Sequence, residues 1–204
     1  MGHKEELTQE LESARQGFHH LLDSVPEAFY SHPSDNPAWT IGDVFYHITL
    51  GPPAIRFEIW MIRHIPWIFR GLNNFTSTLF NWGNALFTRH PKRITHQTLT
   101  KAYEKGHAGL ISSLKRMRAE DFGRSVNYPA EFVSELAGEV SIERLFRYIK
   151  LHFDIHAGQI NSVFPALARA KPPQAYCIKL KCYFEGNVAS SRNVTERVSK
   201  VWRF

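Results

Sequence analysis

Seven residues, Ile142, Leu145, Ile149, His152, His156, Gln159 and Val163, recur at steps of three and four and therefore share one face of a helix. Ser141 stands immediately before them in the N-cap position, which fixes where that helix begins. The aliphatic members mark this as the face a fold would bury, yet three consecutive positions on it are polar. A buried polar group without a partner costs roughly 1–3 kcal/mol. Any structure adopted by the chain must therefore supply partners for His152, His156 and Gln159.

Two readings meet that demand. His152 and His156 lie one turn apart, so both imidazoles can reach a single divalent ion at the ~2.0–2.1 Å bonds that zinc and similar metals form. Alternatively they are core histidines bonded to serines, tyrosines or backbone carbonyls. The spacing alone leaves these open, because H-x-x-x-H is a common accident. Gln159, one turn on, could orient His156 or hydrogen-bond a ligand water, or simply reach solvent at the helix end.

Three further helices follow from periodicity. From Lys4 to Val25 the apolar positions Leu7, Leu11, Ala14, Phe18, Leu21 and Val25 make one stripe. Thr40 and Asp43 have capping-box spacing and start a second helix. Its seams are Ile41, Phe45, Ile48, Ile55, Ile59, Ile62 and, beside them, Val44, His47, Gly51, Ala54, Glu58. His47 is thus the other histidine at an inward position of a core helix. Pro52-Pro53 removes two backbone donors, which predicts a kink or a break and restart there. Thr98 is placed to cap a third helix along Leu99, Tyr103, Gly106, Leu110, Ser113 and Met117. Between the second and third helices, residues 66 to 96 read as a long packed connection with short helical pieces; a loop with Gly123, Pro129 and Gly138 precedes Ser141.

Composition supports one folded domain: 204 residues, 43% apolar and 22% charged. The net charge of +6 lies mostly after residue 170, in a basic appendage whose alternation from Tyr176 to Phe184 has a strand period. The expected division is a helical domain over 1–170 and a tail over 171–204. That tail could touch an anionic partner without specificity, but it carries no nucleic-acid motif. Both cysteines, Cys177 and Cys182, lie in it, so the body has no thiol for chemistry, and their spacing does not suit a metal. No apolar run is long enough to cross a membrane, and the charged N-terminus predicts a cytoplasmic protein. Asp154 reads as surface charge, and Glu58 as either a base near His47 or the partner of an arginine. His19 and His20 flank the first stripe, while His3, His32, His64, His90, His96 and His107 read as loop or exposed positions.

The stretch Trp39-Thr40-Ile41-Gly42-Asp43-Val44-Phe45-Tyr46-His47, together with His152-Phe153-Asp154-Ile155-His156-Ala157-Gly158-Gln159-Ile160, resembles the DinB/YfiT-like metalloenzyme superfamily. In that family a tryptophan opens the second helix eight residues before the first histidine, and the fourth closes with a histidine pair and Gly-Gln-Ile. The resemblance spans roughly residues 5 to 168. It implies an all-α, up-and-down four-helix bundle, often dimeric, holding zinc, nickel or another divalent ion such as manganese or iron. The ligands it implies are His47, His152 and His156. Relatives include bacillithiol S-transferases and mycothiol-dependent maleylpyruvate isomerases. The expectation is a metal-dependent enzyme in which activated water or a low-molecular-weight thiol attacks a small-molecule substrate. The alternative is a non-catalytic bundle that binds a metal or small molecule. Pro52-Pro53 and the tail after Pro172 depart from the family pattern.

Overall fold

Leu7, Leu11, Ala14, Phe18 and Leu21 repeat at helical spacing, and each is buried on α1 (His3–Ser24) of the computed structural model, which describes residues 2–69, 94–128 and 134–170. A 3-10 turn (Glu27–Phe29) leads to α2 (Ile41–His64). Then come α3 (His96–Arg116), the single-turn α4 (Ala119–Phe122), β1 (Ser125–Tyr128), a second 3-10 turn (Ser134–Leu136), β2 (Gly138–Ser141), α5 (Ile142–Asn161) and α6 (Phe164–Ala170). The described chain is mostly helical, in keeping with an all-α fold.

The four long helices close a ring of contacts, α1 against α3 and α5, and α2 against α3 and α5. Inside it Phe18 stacks on Tyr103 with centroids 4.1 Å apart, and Phe18 also meets Phe45 edge-on. Leu11, Ile48, Leu110, Leu145 and Phe146 complete the centre, each buried.

Side-chain pairs give the helix directions. His19 bonds Glu104 while Glu12 bonds His107, so α1 and α3 are antiparallel. His3 pairs with Glu143 and Gly17 lies against Phe153, so α1 and α5 run together. On α3, Gly106 lies against Pro53, Gly109 against Arg56, and Arg116 shares a groove with Arg63. α2 and α3 therefore run in the same direction, giving the order up, down, down, up. That departs from the alternating up-and-down order expected from the sequence. The chain from 65 to 95 permits it, since at up to ~3.3 Å per residue it can span the length of α2, ~1.5 Å per residue, with room to spare.

Pro52 and Pro53 lie inside a continuous α2, so of the kink or break expected there the break does not occur. An interior proline costs ~3 kcal/mol, but seven buried apolar side chains of α2, Ile41, Val44, Phe45, Ile48, Ile55, Ile59 and Ile62, contribute ~1.5–3 kcal/mol each. Gly51 helps by presenting no Cβ to the ring of Pro52. Ala54, expected on the inward seam, is exposed. The third helix starts three residues earlier than read: Thr95 is the cap, accepting from Thr98 N, and Thr98 Oγ1 answers as the reciprocal member of the box. The loop before Ser141 contains a two-stranded antiparallel sheet, with Val126 opposite Val140. Four-residue strands are too short to reveal a period of two. Gly138, at φ 87°, takes the left-handed conformation that glycine permits. The connection over 70–93, with His90, and the tail over 171–204, with Cys177 and Cys182, lie outside the described residues.

Candidate metal centre

Thr40 ends an extended segment and starts α2. Its Oγ1 accepts from Asp43 N at 3.1 Å, and Asp43 Oδ2 accepts from Thr40 N at 2.9 Å. Ile41 N and Gly42 N donate to the carbonyls of His32 and Tyr30. This first turn is thereby fixed, and one turn later it presents His47. The opposing helix begins at Ser141, whose Oγ accepts from Arg144 N as read from the sequence, and carries His152, His156 and Gln159 in its last turns. Asp35 N donates to the Gln159 carbonyl, tying the loop before α2 to the end of α5.

The two helices bring the three histidines together. Candidate ligand nitrogens of His47, His152 and His156 all lie within 4.8 Å of one another, the one group of three such side chains among the described residues. His47 Nε2 and His152 Nε2 face each other at 3.2 Å. Ring centroids are 4.6 Å apart for His47 with His156 and for His152 with His156. His156 Nδ1 donates to Gln159 Oε1 at 3.0 Å, which leaves its Nε2 lone pair available. Trp39 covers one flank, 4.7 Å from the ring of His47 and 6.0 Å from that of His156.

Gly51 sets the clearance. A Cβ on Gly51 would stand 3.0 Å from His152 Nδ1, tighter than ordinary contact. Sequence periodicity put Gly51 on the inward seam without giving it this role. Trp39 likewise figured in the sequence only as a motif residue, because nothing in a linear pattern shows what its ring covers.

All three imidazoles are held neutral. Burial, and then the neighbouring His156, bring His47 down from 6.5 to about 3. Burial followed by its two partners pushes His152 well down, and burial outweighs the hydrogen bond that His156 donates to Gln159, so that His156 is lowered. His152 is only 9% exposed. Neutral nitrogens with lone pairs are the metal-ligating form.

The donor set suits a divalent ion. Tetrahedral bonds of ~2.1 Å place ligand nitrogens ~3.4 Å apart, within small side-chain rotations of the observed separations. Without an ion, the facing Nε2 atoms leave one proton to share, and His47 Nδ1 is buried with no partner. Elsewhere His3 pairs with Glu143, His19 with Glu104, His96 with Asp23 and His64 with the Trp60 carbonyl. His32 and His107 each have a buried Nδ1 without a hydrogen bond, as His47 does, but among the described residues the triad alone brings three imidazoles together.

Other candidates resolve differently. Asp154 is exposed and pairs with Lys150, as read. His107, expected on an exposed face, is 4% exposed and bonds Glu12 Oε1 at 2.9 Å. The buried face of α3 is wide enough to take both Gly106 and its neighbour. Glu58 is not beside His47, and among the described residues it has no arginine partner. Eleven residues along α2 put it ~16 Å from His47, where its Oε1 accepts from Tyr128 Oη at 3.2 Å. Burial pushes its carboxyl up to about 7 against that hydrogen bond.

No family model matches the chain, and comparison with curated proteins and with solved structures gives no match. No described helix is long and apolar enough to cross a membrane.

Proposed function

We propose that the chain is a divalent-metal-dependent enzyme of the DinB/YfiT-like superfamily, built as a four-helix bundle with its ion held by His47, His152 and His156. The observation that carries this is the convergence of three neutral imidazoles, one buried and two partly buried, with ligand atoms within 4.8 Å of one another from two helices. A bound ion supplies Lewis acidity that activates water or a low-molecular-weight thiol toward a small-molecule substrate. Zinc or nickel fits three imidazoles best, with manganese or iron as further occupants. The rest is work for the chain's own side chains. Gln159 holds the tautomer of His156, Gly51 leaves His152 its place, and Trp39 keeps bulk water from one side. Since the body has no cysteine, a thiol nucleophile arrives as a small molecule. The resemblance also brings the expectation of a homodimer.

One observation favours the second reading, a non-catalytic metal-binding bundle: among the described residues no carboxylate hydrogen-bonds the triad, whose neighbours are Gln159, Gly51, Trp39 and Tyr148, and Glu135 acts on His156 only through its charge. The test is elemental analysis of the protein beside a His152→Ala, His156→Ala double variant, followed by a screen of thiols with electrophiles and of hydrolysable esters and amides. About one ion per chain, lost in the variant, with turnover that follows metal content, is the expected result. Metal without turnover, and unfolding on chelation, would favour the binding module. A metal-free wild type that stays folded would return the histidines to the core.

A further inference from the structure

Beyond its proline pair, α2 turns an aromatic face to water. Among the described residues the exposed large apolar side chains are Phe57, Trp60, Trp67 and Leu151, and the first three fall within one short stretch at and just past the end of α2. Phe57, Trp60 and His64 step by three and four, so they share one stripe. Their rings stack, Phe57 on Trp60 at 6.0 Å and Trp60 on His64 at 5.2 Å, and what Trp60 offers to water is therefore its edge. Trp67, 64% exposed, follows three residues beyond the helix. Apolar side chains exposed singly need no partner, but a cluster of aromatics marks a surface that something else covers.

The charge around this ridge has one sign. From Ile59 to Tyr103 the sequence holds no aspartate or glutamate, against Arg63, Arg70, Arg89, Lys92, Arg93 and Lys101. Glu58, the one carboxylate in the ridge's own stretch, is turned to Tyr128, whose Oη donates to it. Arg56 precedes Phe57, is exposed, and has no ion-pair partner among the described residues. Arg116, at the end of α3, lines a groove together with Arg56 and Trp60, and its bond to the neutral Ser112 Oγ leaves its charge in place. Arg63 counts for less, because the buried Asp121 pairs with it at 3.4 Å.

These features select among occupants. A second copy docked about a two-fold axis would bring one positive patch against itself. Nucleic-acid bases need open ring faces, which the stack has closed. An anionic lipid surface needs neither: aromatic edges enter the headgroup layer while the guanidiniums stay level with the phosphates. We propose that this face of α2 seats the protein peripherally on an anionic lipid surface, with the helix lying along the surface. Trp60 is thirteen residues beyond His47, ~20 Å along α2, so the contact is separate from the histidine centre.

The probes are vesicles of phosphatidylcholine alone and of equal parts phosphatidylcholine and phosphatidylglycerol, mixed with the full chain and separated by flotation. The chain floats with the mixed vesicles and not with phosphatidylcholine alone, and brominated acyl chains quench its tryptophan fluorescence. A Phe57→Ser, Trp67→Ser double variant partitions roughly tenfold less at unchanged charge, the order expected when large apolar side chains no longer leave water. Arg56→Gln and Arg116→Gln each lower partitioning about fivefold, and by less at high salt. These side chains are exposed, and unchanged circular dichroism melts show that the variants fold; should one not fold, quenching of the parent chain decides. Absence of flotation with the mixed vesicles, or flotation without quenching, would overturn the proposal. Partitioning that the double variant leaves unchanged would do the same and assign adsorption to the basic tail over 171–204. Sedimentation velocity without lipid supplies the remaining outcome: a dimer that the double variant dissolves would give this face to a second copy and overturn the lipid assignment. None of these results bears on the metal centre.

Discussion

Gly51 has no side chain to set against α5, and the ring of His152 lies where one would reach. Alanine is in general the better helix former by about 1 kcal/mol, which offsets the contact its Cβ makes with the ring of Pro52, so Gly51→Ala should still form the helix while moving His152. The expected outcome is a tenfold or greater loss of metal affinity, the range seen when a ligand's support is disturbed, with an unchanged far-ultraviolet dichroism spectrum. Glu58 tests the field deeper along α2. Its carboxyl is raised from 4.5 to about 7, so between those values the folded chain holds a proton that the unfolded chain has released. Stability from this group therefore falls as pH rises through that window and levels off above it. Glu58→Gln should melt a few degrees higher than the parent at about pH 8, and the difference should close near pH 5. The three ligand histidines were legible because two shared a stripe with isoleucine and leucine and the third stood inward on another. The partner of Glu58 was not, since Tyr128 comes from a strand too short to leave a pattern.

At the scale of the element, the first turn of α2 carries more than its length suggests. Thr40 and Asp43 close a reciprocal box, and His47 follows one turn later. Asp43→Ala should cost about 1 kcal/mol, read as a melting point lower by ~2–4 °C, and metal affinity should fall with it as the turn frays. Restoring Asp43→Asn should recover part of both. Thr40 was legible because Pro37 and the polar residues before it exclude any other start. Thr95 was not, because Thr98 lies in the same box and carries the same side chain. The proline pair shows the limit of local rules in another way: backbone loss at Pro52-Pro53 is outweighed by packing on both sides of it, which no local pattern displays.

Across the whole molecule, the periodic stripes made four helices legible but not their directions. A stripe specifies which face is buried, while direction depends on how far a connection can travel, and α2 and α3 are joined by one long enough to return to the starting end. Among the described residues the candidate metal ligands come from α2 and α5. Binding should therefore tie one seam of the ring, and hydrogen exchange with and without the ion should show added protection concentrated in Ile41–His64 and Ile142–Asn161. Uniform protection over α1 and α3 as well would mean that the ion acts on the global unfolding equilibrium alone.

The hundred and five residues separating His47 from His152 also set a schedule. A chain leaving the ribosome exposes a single imidazole of the set until residue 152 emerges, and one imidazole does not retain an ion against cellular competitors. On the proposed function, capture would wait for α5 to dock. Loading would then report that the helices have found one another, and a copy ending before residue 152 would lack two of the three imidazoles.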